Sequence, residues 1–296
     1  MLKTALTFVV LLPFGLVVAE FSKDFQNWLD ETYGLKFRSD LGARGSFGGK
    51  SERNETISNQ PVVLVHGLSS TAGDNMLEMA KYLNKLGYKW SELYATTYGN
   101  GDQGNPLQWS QYTMQCFYVK QIRALIVAVR LYTGQPVDVI AYSLGVPISR
   151  KAILGGKCVD TQENLGGALT QHIDTFVGVA GPNHGISLQS GTINFSACSL
   201  GLLPICNPHT GLYSGLCPLE STFLKNINSY GKYEGKNIFS IYSRNDQLIG
   251  YSVCNRITAQ IPGQNGEKIY DNKTHSLVFS DSYEVQRQMI LNHLVI

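Results

Sequence analysis

Charge is scarce in this sequence. Only 16% of its 296 residues are Asp, Glu, Lys or Arg, and the formal net charge is +2. A nucleic-acid partner calls for a basic patch or stripe, and none is present, so nucleic acid is excluded as a partner. With so few charges much of the surface must be neutral and polar, which suits a secreted protein. Long apolar runs are equally rare. Beyond Thr4 to Val18 no run is long enough to cross a bilayer, so no transmembrane segment is expected. Internal repeats are missing, and no flexible stretch is long enough to set off a second domain. The length is ample for a real core. One domain over residues 20–296 is expected, in a monomer.

The one long apolar run follows Lys3 and ends at Val17-Val18-Ala19, small or branched residues of the kind a signal peptidase cuts beside. It is short for a spanning helix, and its flanks suit a secretory signal over residues 1–19. The protein is therefore expected outside the cell, and losing Lys3 with the signal would leave a net charge of +1. Three sequons point the same way, making Asn54, Asn194 and Asn272 candidates for N-glycosylation in a eukaryotic secretory route. The six cysteines are Cys116, Cys158, Cys198, Cys206, Cys217 and Cys254. An even number behind a signal peptide reads as three disulfides. The expected pairs are Cys206–Cys217, Cys198–Cys254 and Cys116–Cys158. A zinc site from Cys198, Cys206, His209 and Cys217 is the alternative, but that spacing fits no standard ligand pattern. No metal and no cofactor is expected.

What is present is an alternation of short buried strands and amphipathic helices. Phe21, Phe25, Trp28 and Leu29 recur at helical spacing, and Gly34 can end that helix. Residues 37–60 are rich in Gly, Ser, Arg and Asn and read as irregular. Val62 to Val65 reads as a buried strand, followed by His66-Gly67-Leu68, a small-residue loop and a helix from Asn75 to Leu86. Leu93 to Thr97 is the next strand. Val119, Ile122, Leu125, Ile126 and Val129 then mark one face of a long helix ending near Gly134. Val137 to Ile140, Asp174 to Ala180 and Ile238 to Tyr242 are further strands, and Asp281 or Ser282 can cap a final helix. Such alternation predicts an α/β fold, a mainly parallel sheet with helices on both faces. The least regular stretch, about residues 185–217, holds three cysteines together with Leu200, Leu202, Leu203 and Ile205. It is expected to form a cysteine-bearing cap or lid above the sheet, with a plain surface excursion as the alternative.

The chemistry concentrates at Ala141-Tyr142-Ser143-Leu144-Gly145. A strand, a sharp turn and a helix with a serine at the apex make a nucleophile elbow, with Ala141 in place of the usual first glycine. A serine hydroxyl is a poor nucleophile until a histidine takes its proton and a carboxylate orients that histidine. Behind such an elbow the chain order is serine, acid, histidine. Asp246 directly follows a strand and so reaches the same sheet edge. Asp160 and Asp174 precede a strand and fall on the far edge, and Asp271 is too near His275 to come from a separate strand end. His275 stands in the loop before the final helix. His293 reads as surface, His172 as far-edge, and His184 comes before Asp246. Ser143, Asp246 and His275 alone meet both order and position. The backbone N–H groups of Leu144 and Leu68 would supply the two donors for an oxyanion. His66 reads as a residue that holds its loop by hydrogen bonds.

Four stretches carry a specific likeness: Pro61 to Gly67, Ala141 to Gly145, Ile241 to Asp246, and Thr274-His275. In them the chain resembles the class 2 lipases, small secreted bacterial enzymes and their larger, cysteine-containing nematode relatives. Alanine at the first elbow position is itself typical of that family. The resemblance implies an α/β-hydrolase fold and hydrolysis of fatty-acyl glycerides through an acyl-enzyme, with a lipid or ester substrate and transient contact with a lipid surface. The minimal bacterial members lack a lid, so their open site does not carry over to the insertion at 185–217. An esterase or acyltransferase on soluble short-chain esters remains open, and so does a non-catalytic binding protein of the same fold. Intact Ser143, Asp246 and His275 argue against the binder, which needs none of them.

Overall fold

A run such as Val62-Val63-Leu64-Val65 has no polar face to offer water, so it has to lie between two layers. In the computed structural model these residues are β1 (Val62–Val65), buried throughout. The structure describes residues 20–99, 113–190, 193–196, 198, 204–213 and 217–296. In chain order the later strands are β2 (Leu93–Ala95), β3 (Val137–Tyr142) and β4 (Ile173–Val179), then a hairpin of β5 (Ser187–Ser190) and β6 (Ile193–Ser196). They continue with β7 (Asn237–Ser243), a small hairpin of β8 (Ser252–Val253) and β9 (Arg256–Ile257), and β10 (Gly266–Tyr270). Among the described residues six strands form the main sheet, in the order β10-β7-β4-β3-β1-β2, and every neighbouring pair is parallel.

The helices are α1 (Lys23–Tyr33), α2 (Leu35–Leu41), α3 (Leu77–Lys85), α4 (Cys116–Thr133), α5 (Gly145–Leu154), α6 (Thr222–Asn228), α7 (His275–Ser280) and α8 (Tyr283–Asn292). From β1 the chain steps outward to β2, then returns past β1 to β3 and keeps going to β4. Right-handed crossovers in opposite directions place α3 on one face and α4 and α5 on the other. The contacts agree: α4 packs on α5, α5 on α6, and α1 and α2 on α4, whereas α3 packs on α8. The reversal between β1 and β3 opens a crevice at their carboxyl ends, the usual ligand position in such sheets.

Local chemistry sets the helix ends. Ser22 Oγ accepts the Phe25 N–H at 3.2 Å at the start of α1, and Gly134, at φ 73°, closes α4 in the left-handed conformation. Phe25 and Leu29 are wholly buried, the Phe25 ring lying 5.4 Å from Tyr94 and 4.7 Å from Tyr132. On the outer edge of β2, Phe47 and Ala95 exchange backbone hydrogen bonds of 3.0 Å each, an antiparallel bridge that covers the edge. Buried Glu92 gathers the N–H groups of Ser58, Asn59 and Lys89 at 2.6, 2.8 and 2.9 Å, tying the irregular segment before β1 to the sheet.

Several elements depart from the sequence expectation. Within the expected irregular stretch, α2 forms as a short helix with Leu41 as its buried residue and Arg38 paired to Asp30 at 2.7 Å. Tertiary anchoring of one leucine, without an apolar stripe, leaves no periodic signal. The helix after β1 starts as a π-turn over Ala72–Met76, broken by Asp74 at φ −93°, ψ −118°. Ser282 precedes α8, but its hydroxyl donates back to the Val278 carbonyl at 2.6 Å and caps no N–H of α8. β10 was not expected, because Gly266-Glu267-Lys268-Ile269-Tyr270 is half-polar and half-buried as an edge strand beside β7.

Two disulfides correct the expected pairing. Cys116 bridges Cys158, joining the start of α4 to the chain after α5. The other bridges are Cys198–Cys206 and Cys217–Cys254, and not Cys198–Cys254 and Cys206–Cys217. A short tight turn over Pro204–Cys206 returns Cys206 to within 5.3 Å of Cys198 between α-carbons. Cys254 stands at the turn of the β8–β9 hairpin with φ 49°, facing the chain at Cys217, and Arg256 beside it pairs with Glu220 at 2.7 Å. With Cys198, Cys206 and Cys217 bridged, the zinc alternative loses three of its four ligands. Asn54 and Asn272 are exposed. The side chain of Asn194, residues 1–19 and Leu200, Leu202 and Leu203 lie outside the described residues. Among the described residues no helix is long and apolar enough to cross a membrane.

Candidate active site

β3 ends at Tyr142 and α5 begins at Gly145, so the chain reverses within two residues. Ser143 therefore adopts φ 52°, a left-handed conformation unfavourable for a residue with a Cβ. Two backbone bonds hold it there: its N–H donates to the Val179 carbonyl at 2.8 Å, and its carbonyl accepts the Val146 N–H at 3.0 Å. Crowding explains the glycines. A Cβ on Gly145 would lie 2.3 Å from the His66 carbonyl oxygen, and one on Gly67 would lie 2.9 Å from Ser143 Cβ. Ala141 is tolerated beside them because its register partner on β4 is Gly178, which has no side chain.

The structure brings Ser143, His275 and Asp246 together from the ends of three different segments. His275 opens α7, and the N-cap residue Thr274 accepts the Leu277 N–H at 3.4 Å. Its Nε2 lies 2.9 Å from Ser143 Oγ and its Nδ1 lies 2.7 Å from Asp246 Oδ2. An ionised carboxylate only accepts, so Nδ1 carries the proton and Nε2 presents a lone pair to the serine hydroxyl. Asp246 turns its other oxygen, Oδ1, to the N–H groups of Leu248 and Ile249 at 3.0 and 3.1 Å. Both Asp246 and His275 are only 4% exposed. Side chains from the neighbours of these residues also reach the His275 backbone: Gln247 Oε1 accepts its N–H at 3.1 Å, and Tyr142 donates its O–H to its carbonyl at 3.2 Å. Burial, with the Asp246 charge nearby, pushes the Tyr142 phenol well above its ordinary range, so it stays protonated.

The turn after β1 faces this group. Among the described residues, neither the Leu68 N–H nor the Leu144 N–H donates to an internal acceptor. His66 holds the turn in place. Its Nε2 accepts the Tyr98 N–H at 3.1 Å, its Nδ1–H donates to the Gly67 carbonyl at 2.7 Å, and its ring stacks on Tyr98 at 4.2 Å. Burial lowers its pKa to about 4, so the ring is neutral at ordinary pH. Farther along, Asp74 Oδ2 accepts the Thr71 N–H at 2.8 Å, its hydroxyl at 2.9 Å and the Ser70 hydroxyl at 3.3 Å.

Taken alone, this geometry fits many proteins with a strand-loop-helix serine. The family model described as Lipase (class 2) matches residues 59–288. The chain belongs to the class 2 lipases. The fold is similar to the crystal structure of Aspergillus fumigatus lipase B, with a TM-score of 0.55 and 16% identity over 86% of this chain. The match takes in 56% of that protein, so this chain spans little more than half of its length. It is also similar to mature Bacillus licheniformis lipase BlEst2, with a TM-score of 0.50 and 15% identity over 83% of this chain and 97% of that one. Identities this low speak to the fold alone. No curated protein matches the sequence.

Membership of the lipases makes the fate of the other sequence candidates informative. His172 sits in the short turn before β4, on the far edge, and His293 is exposed with its Nε2 3.0 Å from Asp174. His184 is on the near edge but lies 3.4 Å from Glu220, which Arg256 also engages. Asp271, expected to be too near His275 to come from a separate strand end, does stand at one, because β10 ends at Tyr270. It is exposed and paired with Arg244. Asp74, Tyr142 and Gln247 carry no role in the sequence reading. Adjacency of Tyr142 to Ser143 and of Gln247 to Asp246 was the available signal. Only part of the 185–217 excursion is described: residues 185–190 and 193–196, which include the β5–β6 hairpin, Cys198, and residues 204–213 and 217.

Proposed function

We propose that this class 2 lipase is a secreted serine hydrolase of fatty-acyl glycerides that works through an acyl-enzyme. The observation that carries the reading is the chain of contacts from Ser143 Oγ to His275 Nε2, 2.9 Å, and from His275 Nδ1 to Asp246 Oδ2, 2.7 Å. Ser143 Oγ attacks the ester carbonyl carbon while Nε2 takes its proton. The carbonyl π pair moves onto oxygen, and the N–H groups of Leu68 and Leu144 receive the resulting oxyanion. Collapse re-forms the carbonyl and breaks the bond to the alcohol oxygen, which leaves with the proton from Nε2. Water then repeats the sequence on the acyl-serine and frees the fatty acid. Asp246 stays ionised and stabilises the imidazolium formed in each half. Each oxyanion donor is worth about 3 kcal/mol of transition-state stabilisation.

Three disulfides support an oxidising compartment, in keeping with the secretory signal read over residues 1–19. Leu200, Leu202 and Leu203 would offer an acyl chain or a lipid surface an apolar contact. The test is fluorophosphonate labelling beside ester hydrolysis. Label should attach at Ser143, and Ser143→Ala should fold, take no label and lose nearly all turnover of a short-chain nitrophenyl ester. Near wild-type turnover by that variant would sink the assignment. A wild-type enzyme active on the soluble ester but inert on emulsified triglyceride would point to the esterase alternative.

A further inference from the structure

The peptide of His275 is gripped from two sides, and each grip comes from the chain neighbour of another member of the site. Gln247 follows Asp246, and its Oε1 accepts the His275 N–H at 3.1 Å. Tyr142 precedes Ser143, and its O–H donates to the His275 carbonyl at 3.2 Å. The Tyr142 ring also lies 5.2 Å from the imidazole, backed by Phe279 at 4.8 Å.

The need for such a grip follows from where His275 stands. It is the first residue of α7, a helix of only 6 residues. Helices that short are marginal by themselves, and the first N–H groups of any helix have no partner inside it. The Thr274 hydroxyl serves the N–H of Leu277, not that of His275. Gln247 is exposed and its bond to the His275 N–H is half-buried, so without that side chain the N–H would lose its one fixed acceptor among the described residues and depend on solvent. Contacts at the two ring nitrogens fix the line from Asp246 to Ser143, but they leave the ring free to turn about that line and the main chain free to drift. Holding the backbone on both sides of the Cα, with a ring against the imidazole, removes those freedoms.

We propose that Tyr142 and Gln247 are positioning residues that clamp the His275 peptide so that Nε2 stays aimed at Ser143 Oγ. This rests on the reading of His275 as the base. Neither side chain touches a reacting atom, so their loss should lower turnover and leave substrate binding alone. Each bond is between neutral groups, worth about 1 kcal/mol, and misaimed proton transfer adds to that. A fall in kcat of about five- to tenfold for each is therefore expected.

The experiment compares Tyr142→Phe, Gln247→Leu, Gln247→Glu and the Tyr142→Phe/Gln247→Leu double variant. Each is assayed for kcat and KM on a soluble nitrophenyl ester at alkaline pH, for melting temperature and for the rate of fluorophosphonate labelling. Tyr142→Phe removes one oxygen and keeps the ring, so it should fold even if Gln247→Leu does not. Both single changes should lower kcat and slow labelling with KM within about twofold of wild type. Gln247→Glu keeps the acceptor oxygen and should recover most of the loss. The double variant should lose less than the product of the single losses, because both act through one residue. If Tyr142→Phe and Gln247→Glu both fold with wild-type kcat and Gln247→Leu matches them, while Ser143→Ala and His275→Ala are inactive, the clamp is wrong and the parent reading stands. A fall in kcat that follows melting temperature and is not recovered in Gln247→Glu also overturns it. Activity surviving in Ser143→Ala or His275→Ala removes both.

Discussion

Acid should reach this fold through His66. Its ring is buried and neutral, with a pKa of about 4 against 6.5 when free. The unfolded chain therefore takes up the proton first. Stability from this group is complete above about pH 6.5 and drains away as pH falls toward 4. Applying the linkage relation to those two values, the folded state loses roughly 2.5 kcal/mol between pH 7.5 and 4.5 through His66 alone. Protonating Nε2 would also cancel the hydrogen bond it accepts from Tyr98 and loosen the turn bearing Leu68. His66→Gln cannot titrate, yet its amide oxygen can still accept that N–H. At pH 7.5 the variant should be the weaker by about 1 kcal/mol, having lost the stack on Tyr98. At pH 4.5 the order should reverse, with the variant ahead by about 1–2 kcal/mol. Urea unfolding followed by tryptophan fluorescence, disulfides intact, gives both differences. All other titrating groups are common to the two chains and drop out of the comparison. Equal losses of stability in the two proteins between these pH values would refute the argument.

Two further outcomes follow from the site. Asp246→Asn should leave Ser143 in place but present the wrong ring tautomer, cutting kcat by roughly 10³- to 10⁴-fold. Single-turnover acylation measures it, and an unchanged rate would move the acid elsewhere, although Asp271 and Glu220 already serve Arg244 and Arg256. Gly145→Ala should cost about 1–3 kcal/mol, since its Cβ would meet the His66 carbonyl oxygen at 2.3 Å and neither backbone can retreat. Thermal unfolding with normal melting would show that the elbow is looser than described.

The legible parts of the fold were those where one residue type answers one physical demand. The uniformly apolar Val62–Val65 run could only be a buried strand, and Gly134 could only be a helix end. That Ser143 and Asp246 would share one edge was legible because strand ends fix which side of a parallel sheet a residue faces, and chain order pointed to His275 beside them. The structure brings the three side chains together, and their roles belong to the proposal. What escaped depended on tertiary partners. β10 is half-polar because it lies on an edge, and α2 rests on Leu41. The pairing of Cys217 with Cys254 depends on a hairpin turn at Cys254 that no spacing foretells. Tyr142 and Gln247 look like ordinary neighbours until α7 is placed between them.

The family likeness begins at residue 59, but the cooperative body begins earlier. Phe21, Phe25, Leu29, Leu41 and Phe47 are all buried, and Phe47 closes the outer side of β2. A recombinant chain trimmed to the homologous region would thus strip a seal from the sheet. It would present a bare strand of 3 residues, and beside it the aromatic bed that Phe25 fills against Tyr94 and Tyr132. Such an edge recruits other chains. For this protein the boundary found by descent and the boundary required for solubility are different places, and expression should follow the second.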